Sequence, residues 1–415
     1  MNKNCLLLYP DMEKETKLVE KYIADCYSEP NLSKILNVQA TPAVPPGENF
    51  LSAIWRLVVK ILLKNGEVKE RNLILKNMPK EQERCDIALQ MDTFTREIMT
   101  YELVLKKMDE IMIQFKCDGD RPWCNLILHN NYQNLLLEDL KPLGYEPADK
   151  IEGLTLQEAE LIFKSLGRFH AASKAAVYHG KVNLSTLKPR LTSISPKHIE
   201  AFFVRAVRFL SKSIDESWGP DWKSVQAKLD VPADKIVNKM LKVGEVDETR
   251  FNAILHGDLW TNNILFQKDT YGVPKSVKFV DFQLSFYATV GWDLTYLAFT
   301  SLSYSLRQQH LKHLLKIYLD ILQEDLRKYG YPEDKIPTYE YLLNEMKRLR
   351  FWGLITVLFY LPIILTGVTG NKEDAKIIMV PSTNTSQVPQ IYRSEIFRNS
   401  VGKDILELLN EGVMD

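Results

Sequence analysis

The sequence predicts an α+β protein of two lobes, a small antiparallel sheet with one inserted helix followed by a larger, mostly helical part. Three observations carry this. Between residues 55 and 63 apolar residues fall at every second position, the period of a strand with one buried face. One amphipathic helix over 92–108 interrupts the strands, with Phe94, Ile98, Tyr101, Leu105 and Met108 stepping by four and three along one side. Beyond Gly144 the spacing of apolar residues turns helical for most of the remaining chain.

Each element has a local cause. Met12, Leu18, Val19, Tyr22, Ile23 and Cys26 recur at helical steps, which predicts a helix over 11–28. Residues 36–44 read as a strand, and Pro45-Pro46-Gly47-Glu48-Asn49 as a loop. Trp55, Leu57, Val59, Ile61 and Leu63 form the alternating strand. Asn65-Gly66 then predicts a tight hairpin with positive φ at both central residues. Residues 72–78 return as its partner and carry Lys76. Short strands follow at 126–129 and 135–138. Thr155-Leu156-Gln157-Glu158 is a capping box opening a helix to about Tyr178. Further helices are expected at 196–217, 232–243, 284–304, 307–328, 338–360 and 395–410, with a loop from Pro381 to Pro389. The lobe boundary falls near 139–146, dividing the chain into residues 1–139 and 140–415.

The chain of 415 residues carries 53 Lys+Arg and 53 Asp+Glu, so its formal net charge is zero. That excludes attraction of nucleic acid by overall charge. With 45% hydrophobic residues the chain can build a large core and is not disordered. Five scattered cysteines without a C-x-x-C predict reduced thiols and a cytoplasmic protein. The first residues hold too few apolar side chains before Pro10 for a signal peptide. Residues 351–370 carry no charge and are long enough to span a bilayer, but Pro362 and several Gly and Thr dilute them. A buried helix broken near Pro362 is expected rather than a membrane span. Nothing indicates an obligate protein partner.

The chemistry concentrates in His256-Gly257-Asp258-Leu259-Trp260-Thr261-Asn262-Asn263-Ile264-Leu265, followed by Phe279-Val280-Asp281-Phe282-Gln283. Short apolar runs flank both stretches, which places the polar residues on a tight loop and at a strand end. An Asp on such a loop, an Asn five residues later and an Asp at the next strand end can converge on one point. Phosphoryl transfer needs that set: a carboxylate near the attacking hydroxyl, and oxygen ligands for magnesium.

H-G-D-x-x-x-x-N followed by V-D-F resembles the signature of kinase-like small-molecule phosphotransferases, the aminoglycoside phosphotransferase and choline kinase group. LLLEDL at 135–140, LGRFHAAS at 166–173, LHGDLWTNNILF at 255–266 and VDFQLSFYATVGWDL at 280–294 are similar to the insect ecdysteroid kinase-like (CHK kinase-like) family over about residues 30–370. The resemblance implies a bilobal protein-kinase-like fold using ATP and Mg2+. It implies that Asp258 is the catalytic base or a hydroxyl-orienting carboxylate, that Asn263 and Asp281 hold the metal, and that Lys76 reaches the nucleotide phosphates while paired with Glu97. Glu138 and Leu140 become hinge residues whose backbone meets adenine, and Ser52 closes a phosphate loop at 47–52 that has no G-x-G-x-x-G. His256 is implied to brace the catalytic loop. The pairing has independent support, because Glu97 borders the inward face of its helix and a buried carboxylate needs a partner.

The resemblance points to an alcohol acceptor, an ecdysteroid. Two other readings fit the same residues: identical chemistry on a xenobiotic, sugar or choline-like alcohol, or a silent kinase-like protein that binds an apolar ligand. Phe286, Tyr287, Trp292, Phe351, Trp352 and Tyr360 could line an apolar pocket, although such spacing serves a core equally well. His170 reads as a core histidine. Asp293 reads as a helix cap or a brace of the catalytic loop. His310 and His313 read as surface, with no metal ligand at suitable spacing.

Overall fold

The computed structural model describes residues 17, 21, 23, 27–44, 52–79, 82–117, 119–130, 134–148, 153–186 and 195–415. Most of the expected 11–28 helix and the loop at 47–51 lie outside the described residues.

Five antiparallel strands build the small lobe: β1 (Leu32–Pro42), β2 (Ala53–Leu63), β3 (Val68–Asn77), β4 (Leu126–Asn130) and β5 (Asn134–Glu138), in the order β1-β2-β3-β5-β4. Alternation along β2 sends Trp55, Leu57, Val59 and Ile61 to one face, where Leu73, Leu75 and Leu136 join them in a core. The opposite parity falls to Ile54 and Lys76, which are direct cross-strand partners. Lys76 is therefore on the other face of the central strand, toward the inserted helix. β1 starts at Leu32, earlier than its side chains indicate, because backbone pairing of Leu32 with Leu63 extends it past the apolar run.

The β2–β3 hairpin forms, but with a different turn. Only Gly66 has positive φ, at 85°. Gly66 N–H donates to Leu63 O at 2.9 Å, and Leu63 N–H donates to Glu67 O at 2.8 Å. This is a three-residue turn with glycine at the bulge. Asn65 contributes through its side-chain oxygen, which accepts from Glu67 N–H at 3.0 Å. The inserted helix runs on from Thr93–Met99 through a wide π-helical turn at Thr100–Leu105 to Lys106–Gln114.

The larger lobe is organised on the long helix Leu156–Tyr178, whose capping box forms as expected. It packs along Tyr304–Lys328, and Gly167 brings the two backbones together, since a Cβ there would meet the carbonyl oxygen of Tyr318 at 2.5 Å. Two small sheets lie beside it. One joins β6 (Tyr145–Pro147), β8 (Ile264–Lys268) and β9 (Pro274–Phe279); the other joins β7 (Asn252–Leu255) and β10 (Phe286–Thr289). β10 replaces the first third of the helix expected at 284–304, and that helix begins only at Gly291. All four β10 residues are buried, so their run has no period to separate strand from helix.

The helix expected to end at 360 continues past Pro362. Helical segments Arg350–Ile355 and Leu361–Thr369 flank a π-helical turn at Thr356–Tyr360. Proline has no N–H for the carbonyl of Leu358, four residues back, and the hydroxyl of Tyr392 donates to that oxygen at 2.6 Å instead. The stretch Arg350–Thr369 is long and apolar enough to cross a membrane, and 61% of its most apolar window is buried inside the protein.

Candidate active site

β3 delivers Lys76 into a buried cluster. Its Nζ lies 2.6 Å from Glu97 Oε2 and 2.7 Å from Asp281 Oδ1. Lys76 is 3% exposed and Glu97 fully buried. Burial works against the lysine charge, but Asp281 and Glu97 outweigh it and hold its pKa above the ordinary range. Burial pushes Glu97 up to about 7; Lys76 opposes this and the charge of Asp281 reinforces it.

That shift carries a pH dependence. The unfolded chain releases the Glu97 proton near the ordinary carboxylate value, while the folded state keeps it to about 7. Between those values the folded state binds more protons, so this group withdraws stability as pH rises. Melting curves from pH 5 to 7.5 should therefore show a steeper fall for the wild type than for Glu97→Gln. Parallel curves would remove the titration from Glu97.

The catalytic-loop region is built from the backbone outward. Gly257 has φ 81°, and a Cβ there would overlap the carbonyl oxygen of Leu284. Gly257→Ala should cost about 3 kcal/mol in denaturant unfolding, because strain and overlap act together. His256 is buried, and burial lowers its pKa despite the charge of Asp293. Held neutral, it donates from Nε2 to Val280 O at 3.0 Å while Nδ1 accepts from Asp258 N–H at 3.3 Å. It thus ties the strand before Asp281 to the loop carrying Asp258. Asp293 braces the same loop: its carboxylate accepts from the N–H of His256 at 2.8 Å and of Gly257 at 2.9 Å. Burial works against its charge, yet His170 and these N–H groups hold its pKa below the usual range. His170 connects it onward, with Nε2 at 3.1 Å from Asp293 and Nδ1 at 2.9 Å from the Tyr318 hydroxyl.

Asn263 Nδ2 donates to the Asp258 carbonyl at 2.8 Å and approaches its carboxylate at 3.3 Å. A backbone carbonyl only accepts, so the amide nitrogen faces Asp258 and Asn263 Oδ1 faces away. Asp281 adopts φ 67°, a left-handed backbone that turns its carboxylate to Lys76. One amide oxygen and one carboxylate are hard donors that suit magnesium. No group of three or more His, Cys, Asp or Glu that could hold a metal occurs among the described residues. The donor set therefore fits an ion that takes the rest of its shell from phosphate oxygens and water.

A cavity of about 910 Å³ joins these parts. Lys76, Glu97, Asp258, Asn263 and Asp281 line it, and so do the predicted hinge residues Glu138 and Leu140. The carbonyl of Leu140 is taken by the N–H groups of Leu143 and Tyr145. Ser52 is not among the described lining residues; it is buried, with its Oγ unpartnered. The far end is apolar, walled by Phe202, Phe203, Phe359, Tyr360, Ile363 and Met379. Of the six aromatics proposed from spacing, only Tyr360 reaches the cavity; the other five are buried in the core.

Sequence reasoning missed Tyr296. Its hydroxyl donates to Asp258 Oδ1 at 2.7 Å, while its ring stacks on Trp352 at 6.0 Å and meets Tyr360 edge-on at 5.1 Å. The only signal was its position two residues after Leu294 in the GWDL stretch. Tyr296→Phe should lower turnover roughly tenfold and move the acid limb of the rate profile upward, because a donor that stabilises the carboxylate is lost. An unmoved limb would detach Tyr296 from the chemistry.

A sheet whose central strand offers lysine to a glutamate on the packed helix, over a helical lobe carrying the aspartate loop, is a bilobal protein-kinase-like fold. Small-molecule kinases are the class this describes. The chain belongs to the ecdysteroid kinase-like family, whose model matches residues 46–331. No curated protein matches it by sequence. Among solved structures it is similar to a GDP complex of an aminoglycoside 2′-phosphotransferase-IIIa variant, with 9% identity, 95% of this chain and 99% of that chain covered, and a TM-score of 0.40. A GDP and kanamycin complex of APH(2″)-IIIa is similar at 10% identity, with 94% and 96% covered and a TM-score of 0.35.

Proposed function

We propose that the protein transfers the γ-phosphoryl group of ATP, with Mg2+, to a hydroxyl of a small alcohol, an ecdysteroid. The observation that carries this is a cavity lined by the Lys76–Asp281 cluster, Asp258 and several apolar side chains. The acceptor oxygen forms a bond to the γ-phosphorus, the bond from that phosphorus to the β-bridging oxygen breaks, and ADP leaves. Asp258 accepts the hydroxyl proton, and Tyr296 and Asn263 hold that carboxylate toward the acceptor. Lys76 meets the phosphates, oriented by Glu97. Asn263 Oδ1 and Asp281 would hold the magnesium ion, which supplies charge neutralisation on the phosphate oxygens when bound. Ser52 would close the phosphate loop, and the backbone at Glu138 and Leu140 would meet adenine. In this reading residues 1–139 bind nucleotide, residues 140–415 supply the catalytic loop and acceptor pocket, and the enzyme works in the cytoplasm.

The test is to incubate pure protein with ATP, magnesium and an extract of small metabolites supplemented with ecdysteroids. A steroid heavier by one phosphoryl group is the expected product. Phosphorylation of sugars or amino alcohols alone would replace the acceptor class, and nucleotide binding without any product would leave a silent binding protein.

A further inference from the structure

Gln283 is a buried polar group of the cavity that the proposed chemistry leaves unused. It follows Asp281 by two residues and lines the same cavity. It is 6% exposed, and its Oε1 is buried without a hydrogen-bond partner. Asn263 and Lys76 in the same cavity are bonded to protein groups, and Glu97 is bonded through Oε2 although its Oε1 is unpartnered too; the Gln283 amide is bonded to none of the described residues. Buried amides are paired in nearly all native proteins, so an amide on the cavity wall with no partner among the described residues is open to a bound molecule.

Its place tells what that partner is. The segment after Asp281 lies against the catalytic loop: Leu284 O abuts Gly257, and Ser285 Oγ donates to His256 O at 3.3 Å. Gln283 is thus held between the metal-ligating strand end and the loop carrying Asp258. A side-chain amide carries no charge, so it adds nothing to the neutralisation of phosphate that Lys76 supplies. It can accept from a hydroxyl through Oε1 or donate to a carbonyl through Nε2.

We propose that Gln283 is a specificity residue for the acceptor, reading a second oxygen, a hydroxyl or carbonyl, close to the hydroxyl that is phosphorylated. This rests on the kinase reading above. The acceptor is then a molecule with an apolar body and at least two neighbouring oxygens. Monohydric apolar alcohols of the same size are rejected, because they would leave the amide unpaired once water is displaced.

The experiment compares wild type, Gln283→Leu and Gln283→Asn with ecdysone as acceptor. Gln283→Leu should raise the KM for ecdysone about tenfold, more than it lowers kcat, with the rise on the acceptor rather than on ATP. Gln283→Asn keeps the amide but draws it back by one methylene, and should fall between. Removing an orphan amide should also leave Gln283→Leu melting at or above the wild-type temperature. A KM rise confined to ATP would move Gln283 to the nucleotide side and overturn the proposal. A fall in melting temperature of more than about 4 °C would make its role structural and overturn it too. If ecdysone is not an acceptor for any form, the steroid reading fails by itself, and the melting comparison still decides whether the Gln283 amide is kept for a ligand.

Discussion

Asp258→Asn should lower the rate of phosphoryl transfer by about 10³-fold while nucleotide affinity stays within a factor of a few. The variant keeps the shape of the side chain and its contact with the Tyr296 hydroxyl, and gives up only the longer contact from Asn263 Nδ2, while the Asn263 bond to the backbone carbonyl remains. What is lost is the site for the acceptor proton. Lys76 is held by Glu97 and Asp281, so the nucleotide end should register little of the change. Single-turnover rates and equilibrium binding of an ATP analogue measure the two quantities. Retention of most of the turnover would mean that another group takes the proton.

Lys76 and Glu97 should behave as one unit in a double-mutant cycle. Lys76→Ala should cut the transfer rate by about 10²–10³-fold, since a buried charge directed at the phosphates is removed. Glu97→Ala should cut it less. The structure supplies the reason: with Glu97 gone, Lys76 still has Asp281 at 2.7 Å and stays in the site, displaced toward that carboxylate. The double variant should match Lys76→Ala, because Glu97 has nothing left to orient. Additive effects, within about 0.5 kcal/mol, would show two independent charges and break the assignment. Lys76→Ala should also destabilise the fold by roughly 3 kcal/mol, as it leaves the buried Glu97 and the half-buried Asp281 without their cation. Glu97→Gln is the milder variant, with a pKa for Glu97 near 7 easing the loss of its charge.

Local spacing made part of the candidate site legible. A tight loop between two short strands brings Asp258 and Asn263 together within five residues, so their contact follows from the chain itself. The alternation of β2 and β3 put Lys76 on the face opposite the sheet core, and the helical period put Glu97 on the inward side of its helix. These positions answer to near neighbours, and near neighbours are written in the sequence. Asn65-Gly66 marked a hairpin because glycine at positive φ is needed whichever turn forms; the turn type depended on where Gly66 sat relative to the strand ends.

Other parts could only be decided by packing. A buried run such as Phe286–Thr289 has no exposed face, so no period separates strand from helix, and pairing with β7 chose the strand. The helix across Pro362 survives because Tyr392, thirty residues further on, supplies the hydrogen bond that proline cannot. The π-helical turns at Glu200–Val204 and Thr356–Tyr360 rotate Phe202, Phe203, Phe359 and Tyr360 toward the cavity, where Phe203 and Phe359 meet at 5.2 Å. Apolar periodicity reports that a side chain is hidden from water, not whether protein or ligand hides it. Tyr296 and Gln283 show the same division. Their sequence positions beside Asp293 and Asp281 were plain, but a tyrosine hydroxyl reaching a carboxylate 38 residues away, or an amide reaching no partner among the described residues, is a property of the folded chain. Asp258 and Asn263 could be read from the chain alone because backbone geometry over a few residues sets them side by side. The shape and polarity of the acceptor end were left to the tertiary structure, because they arise where segments more than 100 residues apart close on one space.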